Sequence, residues 1–80
     1  MNIELIQGSF SKSESLDLIT QMIHVKIKFH ENKVKQSSNE EDIKMREKRI
    51  KQLQKDLYDL RKTFEKMGNS ISLTSNIVVT

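Results

Sequence analysis

The side chains best suited to chemistry are few, and their spacing limits what they can do. His24 and His30 are the only imidazoles, six residues apart. At about 100° per residue on a helix they fall on different sides, so they cannot ligate one ion within one chain. His30 lies within an apolar seam, which predicts a half-buried, hydrogen-bonded histidine rather than a metal ligand. Asn39, Glu40, Glu41 and Asp42 are rich in oxygen. They lack the spaced ligands and central glycine of a calcium loop, and helix capping accounts for them. Cysteine is absent, which removes thiolate nucleophiles, disulfides and thiolate metal sites. Two glycines, Gly8 and Gly68, cannot build a phosphate-cradling loop or a dinucleotide fingerprint. Glu31, Glu47, Asp56, Asp59 and Glu65 have basic neighbours three or four residues away, the pattern of solvated helix pairs. The expectation is a non-enzyme with no catalytic residues, no cofactor and no metal site.

One charged feature does have the spacing of a binding surface. Lys44, Lys48, Lys51, Lys55, Lys62 and Lys66 fall within about 60° on one helix face. From Lys44 to Lys55 six positive residues stand against one negative, in a chain of net charge +3. Such a stripe could follow a phosphate backbone. It equally fits a solvated face, since Glu47 can serve Lys51, and Asp59 can serve Lys55 and Lys62. Tyr58 is the one aromatic beside it, and no arginine-rich base reader accompanies it. The solvated face is the favoured reading, and nucleic-acid binding is the alternative.

The elements that carry these residues are legible in outline. Eighty residues make one domain, 1–80, and the absence of proline favours long uninterrupted elements. Ile3, Leu5 and Ile6 before Gly8 suggest a short strand over 1–8. Ser11 with Glu14 is a capping box, with Ser13 an alternative cap, and starts a helix over 12–35. Within it, Ile23, Val25, Ile27 and Phe29 alternate with polar residues at strand period. The helix is preferred because no turn signal interrupts Leu16 to Val34. A loop over 36–39 follows. Ser38 with Glu41 forms a second capping box ahead of a helix over 40–67, closed by Gly68-Asn69. The tail, 70–80, is uncharged and β-branched, with Ile71, Leu73, Ile77 and Val79 on alternate positions, and reads as a strand. The fold class is therefore mainly α: a long antiparallel two-helix hairpin with short terminal β-strands, βααβ.

The apolar faces bear on assembly. In the second helix Ile43, Ile50, Leu53, Leu57, Leu60, Phe64 and Met67 form one coiled-coil-like seam, with Arg46 its polar slot, placed to reach water near the loop. The first helix carries two seams. Leu16, Ile19, Ile23, Ile27 and Val34 form one. Leu18, Met22, Val25 and Phe29 form a second on another side. One antiparallel neighbour covers one seam, so the second requires the chain's own strands or another copy. A homodimer through Leu18, Met22, Val25 and Phe29 is expected, its topology left open. The function expected is a protein-interaction or structural module that self-associates, its further protein partner unspecified. No segment has the length and apolarity of a membrane span. No signal sequence is read, and Asn2 does not suit myristoylation, so a cytoplasmic location and no membrane partner are expected.

Overall fold

The computed structural model describes residues 1–80 and contains four elements: β1 (Asn2–Ser11), α1 (Lys12–Gln36), α2 (Glu40–Glu65) and β2 (Ser70–Val78). The helices form a hairpin, and the strands at its open end pair antiparallel into a two-stranded sheet. The chain is thus βααβ and mostly helical.

Local sequence sets the helix boundaries. Ser11 Oγ accepts from the Glu14 backbone N–H at 3.1 Å, while the Glu14 carboxylate accepts from the Ser11 N–H at 3.0 Å. Each satisfies a backbone donor that the first helical turn would otherwise leave free. These bonds hold the Glu14 carboxyl below its ordinary pKa, the Ser11 backbone donor contributing most. At α2 the cap is Asn39, not Ser38. Its Oδ1 accepts from Glu41 N at 3.0 Å and Asp42 N at 3.2 Å. Asparagine reaches both donors from one side chain, which leaves Ser38–Glu41 no donor to satisfy. The helix stops at Glu65 rather than Met67, with the backbone of Lys66 and Met67 tightening into a last turn before Gly68.

β1 runs three residues past the expected stop at Gly8, because Gly8 is a residue within the strand. Its φ of 138° is a backbone that an L side chain rarely adopts, and glycine lets pairing continue through it. Phe10 pairs with Ile71, Gly8 with Leu73, Ile6 with Ser75 and Ile3 with Ile77. A bulge between Glu4 and Ile6 leaves Leu5 without a partner. The extra residue shifts the alternation by one, so Ile3 shares a face with Ile6 and Phe10 despite its odd spacing from Ile6.

That sheet face leans over the helices. Ile71 is buried, and Ile6, Phe10 and Leu73 are half-buried. Leu53, Leu57 and Phe64 from α2 complete the apolar core, and Ser15 of α1 is fully buried. Leu16, Ile19, Ile23, Ile27 and Val34 of α1 lie half-buried. Both strands approach α1, but neither brings its Cα trace within 8 Å of α2. The sheet diverges from the hairpin, leaving a cleft of about 420 Å³ lined by Ile6, Ile19, Met22, Ile23, Leu53 and Leu73. The Cα trace spans 45 × 33 × 13 Å, a flat and open shape.

Candidate functional site

The hairpin presents two distinct surfaces: the second apolar seam of α1 and a basic side.

On α1 the seam Leu16–Ile19–Ile23–Ile27 is half-buried, and Ile19 and Ile23 share a cleft with Leu53 of α2. Ile19 and Met22 border the cleft beneath the sheet. Of the second seam, Met22 alone lines that cleft. Leu18 is half-buried, whereas Met22 is 37%, Val25 71% and Phe29 47% exposed. The chain's own strands therefore reach only the margin of this seam. Ile3, Leu5 and Ile77, at the free end of the sheet, are also exposed. No helix is long and apolar enough to cross a membrane.

All six lysines of the α2 stripe are exposed. Of the acidic partners the sequence offers them, one ion pair forms: Lys55 Nζ lies 3.6 Å from Asp59 Oδ2. Lys62 instead places its ammonium 5.6 Å from the centre of the Tyr58 ring. Glu47–Lys51 and Asp59–Lys62 do not close to ion-pair distance.

The most structured polar cluster lies between the helices, where sequence reading did not gather it. Arg46 keeps part of its surface in water and also bonds within the hairpin. Its Nε donates to Asp42 Oδ2 at 3.3 Å, and its Nη1 lies 3.1 Å from His30 Nδ1 across the hairpin. A guanidinium has only donors, so His30 Nδ1 accepts and the imidazole is neutral with its proton on Nε2. That Nε2 is buried and has no hydrogen-bond partner. Removal from water is the main cause that lowers the His30 pKa from its ordinary value, with Lys26, Arg46 and Arg49 adding repulsion. His30 is thus a hydrogen-bonded seam histidine. His24 is exposed, and no three potential metal-ligating side chains converge anywhere in the chain.

Around this pair runs an open groove of about 520 Å³, lined by Lys26 and His30 from α1 and by Arg46, Lys48, Arg49 and Gln52 from α2. Phe29 flanks it. Its ring centre lies 5.5 Å from Lys26 Nζ, 5.7 Å from Lys33 Nζ and 6.0 Å from Arg46 Cζ, and 5.6 Å from the His30 ring in an edge-to-face arrangement. Phe29 is therefore a second exposed aromatic beside basic groups, in addition to Tyr58. The signal for this cluster was present as the 3–4 spacing of Lys26, Phe29, His30 and Lys33, but only the pairing of α1 with α2 brings Arg46 and Arg49 to it. Lys48 is the one member of the lysine stripe that lines the groove. No protein-family model matches the chain, and no match was found among curated proteins or solved structures.

Proposed function

We propose that this chain is a non-catalytic interaction module whose first partner is a second copy of itself, seated on Leu18, Met22, Val25 and Phe29. The observation that carries this reading is the surface left in water. The chain exposes 6332 Å², against roughly 5000 Å² for a compact monomer of its mass. The excess, about 1300 Å², exceeds the roughly 800 Å² that each partner contributes to a standard stable interface. The radius of gyration agrees: 15.1 Å, where a compact chain of this length has about 12 Å. Four apolar residues are buried, while Val25 and Phe29 stand on the same helix face as Met22, in water. A second copy brings an identical seam, and two-fold symmetry makes one such patch self-complementary. Sedimentation equilibrium over a concentration series tests this directly. A dimer mass at micromolar concentration is expected, and a monomer throughout the series overturns the reading.

A second reading is nucleic-acid binding through the lysine stripe, favoured by the exposure of all six lysines and the single ion pair among them. Contact with four to six phosphates would give a log–log salt slope of roughly −4 to −5. Lys48→Gln, Lys51→Gln and Lys55→Gln together should reduce that slope by about two to three units. Absence of binding near 150 mM salt, where the Debye length is about 8 Å, leaves the interaction module alone.

A further inference from the structure

The hairpin groove concentrates positive charge, and one carboxylate, Asp42, pairs with it. Lys26, Arg46, Lys48 and Arg49 contribute four positive charges to its lining, and no carboxylate lines it. The nearest, Asp42, is already engaged by Arg46 Nε. Lys26, Lys48 and Arg49 have no carboxylate within 4 Å. Three other carboxylates have partners of their own: Asp17 accepts from Gln21, Asp56 accepts from Gln52 and Asp59 pairs with Lys55. Like charges gathered around a half-buried imidazole oppose folding, and within the chain a single carboxylate, that of Asp42, offsets them at ion-pair distance. Removal from water lowers the proton affinity of His30 most, and repulsion from Lys26, Arg46 and Arg49 on the two helices adds to it.

We infer that this groove binds an oligophosphate group, held by Lys26 from α1 and by Arg46, Lys48 and Arg49 from α2. Three features fit that ligand. Two guanidiniums offer planar, forked donors that match phosphate oxygens, and two ammoniums supply point charge. Arg46 is fixed in place by Asp42 and His30 and packs near Phe29, so its free Nη donors lose little freedom on binding. The groove draws its charges from both helices, so a ligand with several phosphates can contact more of them than a single ion can. Both a nucleoside polyphosphate and a nucleic-acid backbone carry this chemistry. The residues differ from the association seam and, apart from Lys48, from the lysine stripe.

The test is isothermal titration of the full chain at about 150 mM salt, where long-range attraction is screened. The probes are inorganic tripolyphosphate, ATP and a twelve-nucleotide single-stranded oligonucleotide. Two variants remove the same charge: Lys26→Gln with Arg49→Gln in the groove, and Lys51→Gln with Lys55→Gln on the stripe. Tripolyphosphate should bind the parent, weaken roughly tenfold or more in the groove variant, and change less than about threefold in the stripe variant. ATP binding without the oligonucleotide assigns a small-molecule phosphate; tighter oligonucleotide binding, lost in the groove variant, assigns a backbone. Equal loss in both variants, or no binding of any probe, overturns the inference. Amide and imidazole NMR shifts of the unmutated chain give a check independent of the variants' folding. Tripolyphosphate should move the His30 and Arg49 signals, and shifts confined to Lys51 and Lys55 would also overturn it.

Discussion

Arg46 of α2 donates its Nη1 hydrogen to Nδ1 of His30 on α1 at 3.1 Å, a polar bridge across an otherwise apolar helix interface. The bond exists only while the imidazole is neutral, since protonation of Nδ1 would turn the acceptor into a donor facing a cation. Removal from water, with added repulsion from Lys26, Arg46 and Arg49, holds the His30 pKa in the folded chain below that of the unfolded chain, about 6.5. Below that value the unfolded state takes up the proton first. Stability should fall as pH drops from about 6.5 toward the folded pKa, then level off. Urea midpoints between pH 8 and pH 5 would show this decline. The His30→Gln variant, which does not titrate, should show a shallower one.

Ser15 is fully buried in the first turns of α1, and its Oγ has no hydrogen-bond partner. A buried hydroxyl without a partner opposes folding. Ser15→Ala keeps the backbone, improves helix propensity and removes the unsatisfied oxygen. It should raise stability by about 1 kcal/mol in chemical denaturation. A loss of stability would mean the hydroxyl has an unseen partner.

Ser11 closes α1 through reciprocal bonds with Glu14. Ser11→Ala should cost about 1 kcal/mol, measured by the same denaturation. The Glu14 half of the box is present while its carboxylate is ionised. Because its folded pKa is lowered, that contribution persists at neutral pH and is lost as pH falls through the folded value.

Val25 and Phe29 occupy the exposed seam. Val25→Glu with Phe29→Glu would place unpaired charge in the proposed contact and should shift sedimentation from dimer to monomer. The helix signal in circular dichroism should persist, because neither side chain belongs to the buried core. A double variant that remains dimeric would move the contact away from this seam.

The carboxyl-terminal segment carries buried Ile71 and pairs with β1 along its whole length. Met1 and Val79 bond at both backbone groups, N-terminal N to Val79 O at 2.9 Å and Val79 N to Met1 O at 2.7 Å. Deleting Ser70–Thr80 should leave most of the helix signal but lower the melting temperature. In the intact chain the amide of Leu73, opposite Gly8, should exchange slowly. Rapid exchange there would contradict an ordered sheet.

The sequence by itself determined the βααβ order, because each element is signalled by its own residues. The 3–4 spacing from Ile43 to Phe64, the Ser11–Glu14 box and the alternation in Ile71–Ile77 are all local, and local bonds satisfy them. It did not determine where β1 ends. Gly8 is a stop in one-dimensional reading, and only pairing with Leu73 turns its positive φ into part of a strand. Nor did it decide the cap of α2, where Ser38 and Asn39 compete and the reach of one side chain settles the choice. Tertiary structure alone decided the fate of Arg46. In the sequence it is a polar gap in an apolar seam with water as its natural destination. In the fold, the register between α1 and α2 sets His30 opposite it and gathers Lys26 and Arg49 around the pair. Helix periodicity fixes which residues share a face, but the register between two helices depends on how both seams interlock, and neither seam contains that information alone.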